Sequence, residues 1–91
     1  MARIEFAAYE GFESPIQGQA AAQHDLFELG LMYCAGREVG LDLVEAHKWF
    51  NLAALRGNVE AKRYRAEIAA ELSRSEVARA QKLAREWLAT H

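Results

Sequence analysis

Apolar positions recur along this chain at the spacing of one helix face, and four segments carry the pattern. In the first, roughly residues 20 to 35, Ala22, Leu26, Leu29, Gly30 and Tyr33 fall on one stripe, and Gly36 follows as a left-handed C-terminal cap. A short loop, Gly36 to Leu41, leads to Asp42, an N-cap residue with Glu45 at capping-box spacing. The helix it opens has the strongest periodicity of the chain, with Ala46, Trp49, Phe50, Ala53 and Ala54 at i, i+3, i+4, i+7 and i+8. Gly57-Asn58 ends that helix and caps a third, whose buried face is marked by Ala61, Tyr64, Ile68 and Leu72. Ser73 and Glu76 repeat the capping-box spacing before a fourth, with Val77, Ala80, Ala84, Trp87 and Leu88 on one side. Linkers this short predict antiparallel neighbours. The expected fold is therefore all-α, with about four helices.

Residues 1 to 19 break the pattern, because Pro15 and Gly18 separate them from the first helix. Phe6, Tyr9, Phe12 and Ile16 are too apolar for a free tail. They predict an arm that docks on its own helices or in another chain.

Composition sharpens this picture. Of the 91 residues 52% are apolar, but 18 of those are alanine, so the core is thin and rich in close helix approaches. One Pro and six Gly among many Ala, Leu, Glu and Arg favour helices over sheets. The net charge of −2 conceals two unlike halves. Residues 1–45 hold two Lys/Arg against eight Asp/Glu, a net −6, whereas residues 46–91 hold nine against five, a net +4. Such asymmetry suits nucleic-acid binding by the basic half, self-association, or simple solubility. No run approaches 18 apolar residues, and no basic stretch precedes an apolar block at the N-terminus. A cytoplasmic protein without a membrane segment is the expectation.

Catalytic chemistry finds little support. Cys34 is the single cysteine, so it offers neither an internal disulfide nor a thiolate cluster. His24, Asp25, Cys34 and His47 are zinc-type ligands, yet no two histidines stand four apart on one helix. The loop from Gly36 to Gly40 lacks the Lys-Ser/Thr of a phosphate-binding loop. No catalytic, metal or cofactor site is assigned. The basic half, with Lys62, Arg63, Arg65, Arg79, Lys82 and Arg85, resembles a nucleic-acid surface only superficially, because Glu60, Glu67, Glu71, Glu76 and Glu86 interleave with it. Nucleic acid is the alternative partner, and not the favoured one.

The segment from Leu29 to Gly57 carries a resemblance. Leu29-Gly30, Tyr33, Gly36, Val39, Asp42, Ala46, Trp49, Ala53-Ala54 and Gly57 are similar in order and spacing to the Sel-one-like repeat (SLR) family, relatives of tetratricopeptide repeats. The departure is Glu38, where the family usually has a second loop glycine; Gly40 is expected to absorb the turn. The resemblance implies a short antiparallel α-solenoid: an arm over 1–19, then a helical domain over 20–91, made of one clear repeat (20–57) and a degenerate C-terminal helix pair (58–91). It also implies a bacterial protein–protein interaction module, an adaptor or regulatory scaffold, with no activity of its own. The repeat positions themselves read physically as core: Gly30 and the alanine pair admit close approach, and the large rings fill what remains.

The first helix is apolar on a second face as well, through Phe27, Leu31 and Cys34. Phe27 and Leu31 either face the third helix or, with Gln23, His24 and Glu28, line a groove for a peptide or partner helix. Two helix pairs are also fewer than the roughly three repeats that usually make a stable array. A homodimer is expected to cover the open end, through the arm or the Phe27/Leu31 face.

Overall fold

The structure, a computed structural model, describes residues 19–91, with side chains from Gln23 onward. The arm expected over residues 1–19 thus falls almost wholly outside the described residues. Four helices follow in order: α1 (Gln19–Ala35), α2 (Leu43–Leu55), α3 (Val59–Ala69) and α4 (Arg74–Thr90). No strand occurs among the described residues, so this part of the chain is all-α.

Local chemistry sets each boundary. Gly36 leaves α1 at φ +70°, its N–H bonded to the Met32 carbonyl at 2.8 Å, the left-handed exit expected of a helix-ending glycine. Asp42 caps α2 by accepting the N–H groups of Val44 and Glu45, both at 3.1 Å. The second half of the expected capping box is missing. Glu45 instead accepts the Trp49 indole N–H at 3.1 Å and pairs with Lys48 at 3.2 Å, while the Asp42 N–H donates to the Tyr33 carbonyl. A partner one turn along and a carbonyl from α1 have each displaced the local pairing. Gly57, at φ +100°, ends α2, and the Asn58 side chain accepts from Ala61 N–H at 2.9 Å to open α3. At Ser73 and Glu76 both halves of the capping box are made, at 2.8 and 3.1 Å.

The loop between α1 and α2 departs from expectation in one respect. Glu38 itself adopts the left-handed conformation, at φ +65°, and Gly40 does not relieve it. The Cβ of Glu38 makes this conformation costly, since left-handed backbone disfavours L-residues by about 1–2 kcal/mol. Glu38→Gly should therefore stabilise the protein by about 0.5–1 kcal/mol after the greater unfolded-state freedom of glycine is deducted. A urea midpoint that failed to rise would show that the Glu38 side chain is worth as much as the strain it imposes.

Packing converges on α2, against which α1, α3 and α4 all lean. α1 and α2 run antiparallel, and Gly30 is the point of closest approach: a Cβ there would come 2.5 Å from Cε1 of Phe50. Phe50 is fully buried, with Phe27 of α1 at 5.7 Å and Tyr64 of α3 stacked at 5.3 Å between ring centroids; Phe27 and Tyr64 also meet, edge-on, at 5.3 Å. Three helices thus share one aromatic cluster. Ala46, Ala53, Ala61 and Ala84 are buried in the same core cluster, and Ala80 is buried as well, as the alanine-rich stripes predict.

α4 corrects the expectation that every short linker yields an antiparallel pair. It shares no extended face with α3, although only residues 70–73 separate them; it packs on α2. Ala80 and Ala84 permit the approach, and Trp87 meets Trp49 edge-on at 5.8 Å. The buried face of α3, Ala61 and Ile68 with half-buried Tyr64, is already committed to the core cluster. Leu88, expected on the inner side of α4, is 40% exposed.

Candidate functional site

The residues expected to line a groove on α1 divide sharply. Leu31 is 1% exposed and belongs to the core, and Phe27 packs against both Phe50 and Tyr64. Phe27 meets Tyr64 of the third helix, as one reading of this face anticipates, and Leu31 is enclosed in the core cluster. Glu28 is also buried, at 2% exposure. His24 is exposed, while Gln23 and Phe27 are half-buried, so His24 alone of the five is fully open to solvent. The second apolar face of α1 is a packing surface.

The repeat positions occupy the α1–α2 pair and the turns around it. Gly30, Ala46, Ala53 and Ala54 are buried at close approaches, while Leu29, Tyr33, Val39 and Trp49 are half-buried. Gly36 and Gly57 take the left-handed turns, and Asp42 is the cap.

Two ionisable groups, Glu28 and His47, are buried, which nothing local in the sequence distinguishes from a surface position. The Glu28 carboxylate has His24 at 3.8 Å, but its Oε1 has no hydrogen-bond partner among the described residues. Burial pushes its pKa above the ordinary 4.5; His24 opposes the shift and Asp25 adds to it. His47 of α2, 3% exposed, likewise has no partner for Nδ1 among the described residues. Burial, reinforced by Arg65, pulls its pKa below 6.5.

These shifts act oppositely on stability. A carboxyl with a raised folded pKa favours the fold most below its unfolded value, and that contribution is lost as pH rises through the folded one. A histidine with a lowered folded pKa contributes above 6.5, and that contribution is lost as pH falls toward the folded value, because only the unfolded chain takes up the proton. Glu28→Gln should accordingly be more stable than wild type at pH 7.5, with its advantage shrinking toward pH 4.5. His47→Gln should be comparatively favoured below pH 6.5. Urea midpoints of the three proteins across this range check both signs, and parallel curves would show that neither group titrates differently on folding.

Cys34 is half-buried, its Sγ 3.7 Å from the Leu31 carbonyl, and burial raises its thiol to about 12. At neutral pH it is protonated and a poor nucleophile. No group of three or more His, Cys, Asp or Glu residues is placed to hold a metal ion among the described residues. No described helix is long and apolar enough to cross a membrane.

On the basic half, several cations are engaged internally. Arg63 bonds Glu60 at 2.7 Å and lies 3.6 Å from Glu67; Lys82 is 3.7 Å from Glu86; Arg65 donates to the side-chain Oδ1 of Asn51 at 2.6 Å. Each carboxylate subtracts from the attraction this surface would exert on phosphate.

Large apolar side chains do reach the surface elsewhere. Leu41 before α2, Leu55 at its end, Val59 at the start of α3 and Leu88 near the end of α4 are 65, 61, 78 and 40% exposed. No family model matches the chain, and neither a curated protein nor a solved structure matches it.

Proposed function

We propose that this chain is a protein–protein interaction module of the Sel-one-like repeat type, a short α-solenoid serving as an adaptor or regulatory scaffold in a bacterial cytoplasm, without catalysis of its own. The observation that carries this reading is the α1–α2 pair, in which Gly30 lies under the Phe50 ring and left-handed glycines stand at residues 36 and 57. These are the positions whose order and spacing resemble the repeat, and each has the packing or turn role that a repeat unit requires. The protonated Cys34 thiol and the internally paired cations of α3 and α4 favour a binding role over a thiol nucleophile or a phosphate-binding face.

Repeat units bury their faces against neighbours, and an array this short leaves an end uncovered. Self-association into a homodimer is part of the proposal. The experiment is affinity purification of the tagged full chain from its own cells, followed by a salt titration of the recovered complex. A protein partner whose affinity falls less than about threefold between 50 and 200 mM salt supports the module. Nucleic acid lost with a slope of several phosphate contacts would replace it with the basic-half reading.

A further inference from the structure

Three of the four exposed large apolar side chains of the described residues, Leu41, Leu55 and Val59, lie at the two poles of α2. Leu41 stands two residues before that helix, in a loop bearing exposed Glu38 and Asp42, with Arg37 as its cation. At the other pole Leu55 and Val59 flank the α2–α3 turn. Arg56 between them extends over the Trp87 ring at 5.7 Å, next to Leu88 of α4. Lys62, one turn beyond Val59, is exposed, whereas Glu60 beside it is engaged by Arg63. One pole is thus apolar with net negative charge, the other apolar with net positive charge, and the thirteen residues of α2 hold them roughly 20 Å apart.

A single chain cannot bring these poles together, but two chains can join both at once. We propose that two copies pair side by side with their α2 helices antiparallel. The Leu41 loop of each then rests on the Leu55–Val59 corner of the other. This rests on the self-association proposed above and names the surface through which it occurs. Charge complementarity selects the second copy as occupant: each pole finds in an identical chain both the opposite charge and an apolar contact. The antiparallel arrangement makes both contacts equivalent about a two-fold axis and closes the assembly, whereas head-to-tail contact would leave a free pole at each end and let chains add without limit.

The test is light scattering on the full chain at high micromolar concentration in low salt, with circular dichroism on each variant. Wild type should have the mass of a dimer. Val59→Asp and Leu55→Asp, at surface positions, should halve that mass while leaving the helical spectrum intact. Glu38→Lys and Lys62→Glu should each dimerise about tenfold more weakly alone, since like charges then meet at both contacts. An equimolar mixture of the two should recover the dimer, because the mixed pair has opposite charges at both. A monomeric wild type overturns the self-association itself. A dimer indifferent to Leu55→Asp and Val59→Asp overturns this surface and leaves self-association standing. Mass that grows steadily with concentration overturns the two-fold arrangement, and a mixture that fails to recover overturns the charge pairing.

Discussion

Replacing Phe50 with alanine should cost about 3–5 kcal/mol, the range for emptying a fully buried aromatic site. The whole protein has about 5–14 kcal/mol at its size, and an alanine-rich core places it toward the lower end. The substitution therefore removes most of the available stability. Its severity follows from the position of the ring, which fills the space over Gly30 and is in contact with Phe27 and Tyr64. α2 cannot close the gap by moving toward α1 without drawing away from α3 and α4. Thermal denaturation followed by circular dichroism is the measurement. A variant melting within a few degrees of wild type would mean that the core lies elsewhere.

Gly30→Ala should be destabilising by about 2 kcal/mol, although alanine gains about 1 kcal/mol over glycine inside a helix. The sign is decided by geometry: the added Cβ would meet three atoms of the Phe50 ring at 2.5, 2.6 and 2.9 Å. The ring has little room to yield, with the Tyr64 ring stacked against it and Phe27 alongside. A double-mutant cycle separates overlap from propensity. In a Phe50→Leu background, where the ring atoms are gone, Gly30→Ala should become neutral or stabilising. The same penalty in both backgrounds would show that the Gly30 backbone is constrained for another reason.

Much of the fold is legible in the sequence because its signals are local. Asp42, Asn58 and Ser73 cap the helices they precede, and Gly36 and Gly57 make the turns that follow. The Ala46, Phe50 and Ala53 stripe is the buried face of α2. What the sequence leaves open depends on what arrives from a distance. Phe27 and Leu31 are apolar whether they face a groove or a core, and Tyr64, 37 residues further along than Phe27, occupies the space. The Asp42–Glu45 box fails because Glu45 has better partners in Trp49 and Lys48. Glu28 and His47 are ordinary polar letters, and only the folded chain makes them buried. The exposure of Leu88 depends on how far along α4 the contact with α2 extends. Of the candidate site, the pattern identified the two helix faces of α1, but only the fold distinguishes an open face from a filled one.

The central place of α2 also determines how this domain comes apart. In a long stacked array each unit contacts only its neighbours, so an end can fray while the remainder persists. Here α1, α3 and α4 each find their principal support on one thirteen-residue helix, and each loses its main packing partner once that helix is gone. Amide protons in the middle of α2 should therefore exchange only when the entire domain opens, at the free energy of global unfolding, while the outer turns of α4 exchange by local fraying. The domain behaves as one cooperative unit, and a wound to α2 is felt by every other helix at the same moment.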